Sequence, residues 1–239
     1  MSFLKAEWRK LILANYKVEP ELLKPYLPYG TELDLWQDSC YLSLVGFMFV
    51  NTKIKGVKIP FHVNFEEVNL RFYVRHLQNG EWKRGVVFIK EIVPKPAITF
   101  IANKLYKENY QTLPMKHIWF EDDRSLNVIY EWRMKDNWYK LAANCDPNPN
   151  TIQPDSEAAF ITEHYWGYTH NDSITSTEYE VTHPTWKTYP INHYVIDVDF
   201  AAVYGKSFGA LSSKEPTSVM LAEGSQITVE NKRIIKSIL

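Results

Sequence analysis

Apolar and polar residues alternate most regularly between Phe61 and Val93, in FHVNFEEVNLRFYVRHLQNGEWKRGVVFIKEIV. A period of two sustained over such a run predicts two long strands. Asn79-Gly80 between them tolerates positive φ at both central positions of a type I′ turn, so a two-residue hairpin loop joins the strands. With Gln78 paired to Glu81, Arg71 faces Phe88, Leu70 faces Ile89 and Asn69 faces Lys90. One face then carries Val68, Leu70, Phe72, Val74, Val87 and Ile89, with Glu91 as its odd member, and reads as core. The other carries Glu67, Asn69, Arg71, Tyr73, Val86, Phe88 and Lys90. A solvated face is usually polar on both partners. This one sets a polar run against a strand that is apolar apart from Lys90, as in the wall of a barrel lumen or a cleft. A slip of one residue would exchange the two faces.

The same reading extends along the chain. AEWRKLILANY (6–16) ends strand-like, and PELLKPY (20–26) predicts a short helix stopped by Pro25 and Pro28. TELDLW and CYLSLVGFMFV follow as strands. The second is apolar on both faces, as a central strand is, and Gly46 within it marks a bulge or a close backbone approach. After the hairpin, Ile98, Ile101, Ala102 and Leu105 fall at helical spacing with Pro96 in the first turn, so 95–107 predicts an amphipathic helix that plugs or flanks the barrel. Strands resume in NYQTLPMKHIWF, SLNVIYEWRM and NWYKLAANC. A second helix, SEAAFITEHYW, is capped by Asp155 or Ser156. STEYEVTHPTW, INHYVIDVDF and SVMLAEGSQITVENKRII complete the strands. This order predicts an α+β fold, mainly an antiparallel β-barrel with a few short flanking helices, in a single domain over 1–239.

Composition narrows the function classes. A net charge of −1 gives no field for gathering nucleic acid or an anionic membrane surface. The longest apolar run, around 42–50, is too short to span a bilayer. Cys40 and Cys145 show no metal spacing, and the absence of a recognisable signal peptide predicts a cytoplasmic protein that keeps both reduced. Gly205-Lys206-Ser207-Phe208-Gly209 matches a hydrolase nucleophile elbow, but that fold needs its histidine after the serine and the last histidine here is His193. Glu163, His164, His170 and Asp172 cluster without the converging ligands of a zinc site. Three charged residues of the hairpin remain. Glu67, Arg71 and Lys90 form either an internal salt-bridge network or a site for an ionic ligand, because buried charges are costly unless paired. Lys116 beside His117 is a candidate nucleophile if burial and a neighbouring charge lower its pKa.

The segments ANYKVEPELLKPYLPYGTELDLW, YLSLVGFMFVNTKIKGVKIPFHVNFEEVNLRFYVR, EWKRGVVFIKEIVPKPAITFIANKLYKENYQTLPMKH and EHYWGYT resemble the YqjF-like family of uncharacterised bacterial proteins, a branch of the acetoacetate-decarboxylase-like superfamily. The resemblance implies a cone-shaped antiparallel β-barrel around a pocket, assembled as a dimer or higher oligomer. It also implies a reaction in which the first lysine of a pair after a proline forms a Schiff base with a β-keto acid, beside a glutamate and an arginine. Leu113-Pro114-Met115-Lys116 is the similar segment here. Met115 stands where the imine-forming lysine is expected, Lys116 matches the second, and Glu66 or Glu67 resembles the pocket glutamate. A methionine cannot form an imine, and a fold does not by itself carry a reaction.

The resulting expectation is a pocket for a small organic acid or carbonyl compound. Arg71 and Lys90 hold the anion, Glu67 positions it, His117 adds a contact, and Lys116 is the nucleophile if lyase-type chemistry occurs, without metal or nucleotide cofactor. The alternative is a non-catalytic sensor or scaffold with an apolar ligand or none.

Overall fold

The computed structural model describes residues 2–236. In chain order the first half contains β1 (Leu4–Val18), α1 (Pro20–Leu23), β2 (Glu32–Leu33), β3 (Cys40–Ile54), β4 (Phe65–Gln78), β5 (Glu81–Val93), α2 (Pro96–Ile101), β6 (Tyr110–Thr112) and β7 (Met115–Glu121). The second half contains β8 (Leu126–Met134), β9 (Asn137–Cys145), β10 (Asn150–Thr151), α3 (Glu157–Thr162), β11 (Trp166–Asp172), β12 (Thr175–Thr182), β13 (Lys187–Tyr189), β14 (Ile191–Asp197), α4 (Phe200–Tyr204), β15 (Ser218–Val229) and β16 (Arg233–Lys236).

Seven strands pair in the order β15-β1-β3-β4-β5-β11-β12, and β12 pairs back to β15 through Val181–Val229 and Thr182–Thr228. The hydrogen-bonded ring is therefore closed, and its core is strand-dominated α+β as expected. Each junction is antiparallel except β5–β11, which is parallel and short. At that seam a Cβ on Gly85 would lie 2.4 Å from the Trp166 carbonyl oxygen, so only glycine lets the two backbones meet. A second antiparallel sheet, β14-β9-β8-β7, covers one side of the ring. Gly46 marks the close approach its sequence context predicted, since a Cβ there would sit 2.9 Å from the Tyr130 ring of β8. Leu42, Leu44, Leu70 and Phe72 of the ring pack against Val128, Trp132 and Leu141 of the second sheet. Full burial of Leu70 or Phe72 contributes about 1.5–3 kcal/mol each. A separate apolar cluster that includes Phe47, Phe65, Tyr73 and Val86 lies on the inner face of the same strands.

The central hairpin turns at Asn79 (φ 54°) and Gly80 (φ 83°), with Gln78 opposite Glu81. Its register runs as expected to Arg71–Phe88 and then shifts, because the next pairs are Leu70–Lys90 and Asn69–Glu91. One extra residue on β5, between Phe88 and Lys90, makes a β-bulge. A bulge rotates every following side chain to the opposite face. The expected lumenal position of Lys90 is corrected accordingly. Lys90 points out of the ring, where its Nζ donates to the Val203 carbonyl at 2.5 Å, and Glu91 points in.

Three other elements differ from their expectations. The helix over 95–107 is α-helical only to Ile101 and then widens into a π-turn over Ala102–Tyr106, ended by Lys107 at φ 59°. The wider turn buries Tyr106 (8% exposed) and leaves Leu105 outside (46%). Helix α3 starts as predicted, with Ser156 Oγ accepting from the Ala159 amide at 3.1 Å, but stops before His164. Asp199 caps α4 by accepting from the Ala202 amide at 2.9 Å, so Phe200 begins a helix rather than ending a strand. Cys40 and Cys145 are free and buried. No helix among the described residues is long and apolar enough to cross a membrane.

Candidate functional site

A cavity of about 130 Å³ lies inside the ring. It is close to the ~150 Å³ cavity that admits a benzene molecule, so it has room for a compound of that size. Alternation along β4 points Glu67, Asn69 and Arg71 into it, and the bulge in β5 adds Glu91 to Val86 and Phe88. Ile98 and Ile101 of α2 and the following Tyr106 line it, as do Glu108 and Tyr110 beyond them. Trp8, Trp166, Tyr179 and Trp186 supply aromatic wall, and His164 enters from the link between α3 and β11. The lining contains no lysine among the described residues.

Three carboxyl groups share this lumen. Glu67 accepts from Asn69 Nδ2 at 2.9 Å and from the Tyr110 hydroxyl at 3.0 Å. Glu108 accepts from Thr169 Oγ1 at 2.7 Å and from the Tyr179 hydroxyl at 3.0 Å. Burial outweighs these hydrogen bonds and pushes both carboxyls up to about 7. Glu91 is also raised well above the usual carboxylate range, by burial and then by the proximity of Glu108 and Glu67. Groups that titrate near neutrality are suited to giving or taking a proton.

Among the described residues the one cation of the wall is Arg71. It is 7% exposed and makes no hydrogen bond or ion pair among the described residues; its guanidinium lies 5.8 Å from the Tyr73 ring centroid. On the same side, His164 Nε2 is 3.0 Å from Asp34 Oδ2, which also accepts from Arg84 Nε at 2.7 Å. Burial works against an ionised Asp34, but the His164 and Arg84 hydrogen bonds prevail and hold it below the usual range. Burial pulls the imidazole down to about 4, so it is neutral. Its Nε2 carries the proton shared with Asp34, and Nδ1 is left as a buried acceptor without a partner.

The distribution of unpartnered atoms singles this cavity out. Trp8 Nε1, Asn69 Oδ1, Arg71 Nε, Glu91 Oε2 and His164 Nδ1 are all buried, lack a hydrogen-bond partner and belong to its lining. Leaving such a group unsatisfied costs about 1–3 kcal/mol. Their convergence on one void sets this cavity apart from the apolar clusters on either side of the strands.

The residues singled out in the sequence divide into two groups. Glu67 and Arg71 stand together in the cavity wall, while Lys90, Lys116 and His117 lie outside it. Register decides between the two candidate glutamates: Glu67 faces inward, and Glu66 faces β7, where its Oε1 is 2.6 Å from His117 Nδ1. Lys116 is 57% exposed, 2.7 Å from Glu131 Oε2, with its Nζ over the Trp138 ring. Met115 packs against the core outside the ring. Ser207 sits on an exposed 3-10 segment. Sequence reasoning missed Glu108, Tyr110 and Tyr179, weighed His164 only as a zinc ligand, and placed Glu91 on the opposite face. A signal for the last was present, since a lone glutamate on an otherwise apolar face is what an unrecognised bulge produces.

Comparison with known proteins agrees with this architecture. The sequence profile of DUF2071, described as an uncharacterized conserved protein family, matches residues 5–226. The uncharacterized protein YqjF of Bacillus subtilis (strain 168) is 28% identical over 86 residues, which are 36% of this chain; the match spans about a third (34%) of that relative's length. Acetoacetate decarboxylase from Legionella pneumophila superposes with a TM-score of 0.68 at 13% identity, covering 98% of this chain and 88% of its own. An acetoacetate decarboxylase-like enzyme from Sphingomonas wittichii RW1 gives 0.67 at 10% identity, covering 100% and 95%. The enduracididine biosynthesis enzyme MppR, complexed with pyruvate, gives 0.65 at 10% identity, covering 98% and 91%. Identities this low establish a common fold, that of the acetoacetate-decarboxylase-like proteins.

Proposed function

We propose, for a chain that belongs to the DUF2071 family of uncharacterized conserved proteins, that the ring binds a small organic acid or carbonyl compound. The observation that carries this reading is Arg71. A guanidinium is always charged and carries five N–H donors in a fixed fork. Burying one without a partner is unfavourable unless something else supplies the acceptor, and a carboxylate matches the fork in bidentate fashion. Glu67, held by Asn69 and Tyr110, sits one further inward-facing position along β4 from Asn69 and positions the ligand from the side. The aromatic wall takes its carbon skeleton. That MppR shares this fold and is seen with pyruvate supports a ligand of this class.

An imine mechanism has no support in this lumen, because no lysine among the described residues lines it. If a bond is transformed, the groups placed to move protons are Glu67, Glu108 and the neutral His164. The test is thermal denaturation with pyruvate, acetoacetate and butanoate, each beside its methyl ester. Acids at a hundredfold excess over Kd should stabilise the protein by about 2.7 kcal/mol, and the esters should not. Arg71→Ala should abolish the effect, whereas Lys53→Ala, at an exposed position of β3, should leave it intact. Equal responses of the two variants, or no response to any acid, would overturn the reading.

A further inference from the structure

Asn69 and Glu91 are directly paired across β4 and β5, and directly opposite residues have Cβ atoms about 4.5–5.5 Å apart. Both are almost fully buried, at 1% and 2% exposure. The Asn69 amide gives its Nδ2 to Glu67 Oε1 at 2.9 Å, which leaves Oδ1 as an acceptor with no donor. Across the strand pair, Glu91 Oε2 likewise has none. Two buried acceptors thus stand side by side in the cavity wall, and among the described residues the only hydrogens near them are the Tyr110 hydroxyl's, which is given to Glu67, and a proton on Glu91 itself. They are complementary to a group that carries several N–H donors. The lumen also holds three carboxyls, Glu67, Glu91 and Glu108, against the one guanidinium of Arg71, so its own charges do not balance once those carboxyls ionise. Aromatic rings complete the surround, and these favour a cation over a neutral donor.

We propose that Asn69 Oδ1 and Glu91 bind an ammonium group, so that the ligand is an amino acid whose amine stands well apart from its carboxylate. This rests on the reading that Arg71 takes the carboxylate. Arg71 and Asn69 are two residues apart on one strand, which separates them by about 7 Å. Three or four methylenes between the charged ends span that distance, and a molecule of this length fits the 130 Å³ void. The exchange is balanced without any change at carbon. Burial and the neighbouring Glu108 and Glu67 favour the protonated Glu91 carboxyl in the empty cavity, where its one O–H faces the paired Asn69. When the ammonium enters, that proton leaves to solvent, and a carboxylate–ammonium pair remains beside the Asn69 carbonyl oxygen.

Isothermal titration of the full chain with 4-aminobutanoate against butanoate, and 5-aminopentanoate against pentanoate, tests the proposal. Each amino acid should bind at least tenfold more tightly than its parent acid. Glu91→Gln should reduce that ratio to less than threefold. Repeating the wild-type titrations near pH 6 in two buffers of different ionisation enthalpy should show proton release with the amino acids and none with the parent acids. This second measurement decides the matter if Glu91→Gln does not fold. Parent acids that bind as well as their amino counterparts would overturn the ammonium site and leave the acid site standing, and so would a preference that survives Glu91→Gln or binding without proton release. Binding by none of the four compounds would overturn both.

Discussion

Replacing Arg71 with methionine should make the unliganded protein more stable and its acid site useless. Methionine keeps most of the apolar stem while removing a buried guanidinium whose Nε has no acceptor. Relief of that unsatisfied group is worth about 1–3 kcal/mol. Against it stands the loss of the contact with the Tyr73 ring, 5.8 Å from the guanidinium carbon, about 0.5–1 kcal/mol. Attraction to Glu67 is also lost, but burial raises that carboxyl to about 7, so near pH 6 it is mostly protonated and offers little to pair with. The balance at pH 6 is a gain of up to about 2.5 kcal/mol, which for a chain of this size raises Tm by up to about 10 °C. At pH 8, where Glu67 is more ionised, Arg71 is better compensated and the gain should shrink. Calorimetric melting of wild type and R71M at both pH values, each with and without butanoate, reads all of this at once. A loss of more than 1 kcal/mol at pH 6, together with undiminished stabilisation by butanoate, would show that Arg71 is a structural group and refute the reasoning.

The remaining predictions concern the carboxyls, the seam and the lysines. Burial raises Glu67 and Glu108 in the folded protein from 4.5 to about 7, so the folded state binds more protons than the unfolded chain in that window. Stability is then fully present below about pH 4.5 and is lost as pH rises through 7, by at most about 3 kcal/mol for each group; melting curves from pH 5 to 8 should show the fall, and Glu108→Gln should flatten it. A flat wild-type profile would count against a buried acid cluster. Gly85→Ala forces a Cβ against the Trp166 carbonyl at the parallel seam and should cost at least about 2–3 kcal/mol, read by urea denaturation; a cost below 0.5 kcal/mol would show that the seam opens easily. Lys90→Met should leave acid binding unchanged, and an effect as large as that of Arg71→Ala would put Lys90 back inside the ring. Borohydride reduction with acetoacetate should leave the intact mass unaltered, and a covalent adduct on Lys116 would restore an imine mechanism.

How much of this was legible in the sequence depends on what each feature needs. Local features depend on local residues. The Asn79-Gly80 turn, a cap at Asp155 or Ser156, the alternation that separates Leu70 and Phe72 from Asn69 and Arg71, and a bulge or close approach at Gly46 follow from backbone sterics and side-chain period. The sequence by itself therefore determined the strand-dominated fold, the outer apolar face and the lumenal place of Glu67 and Arg71. Tertiary structure decided the rest. The bulge before Lys90 shows only in the pairing of β4 with β5, and its one inserted residue reverses the period of two, expelling a lysine and admitting Glu91. Glu108, Tyr179 and His164 reach the cavity from segments distant in the chain, through the β5–β11 seam and the wide turn after α2. No periodicity within one segment encodes which other segment it will face. The chemistry of the site, meaning which carboxyls are raised and which acceptors lack donors, follows from burial among those distant partners.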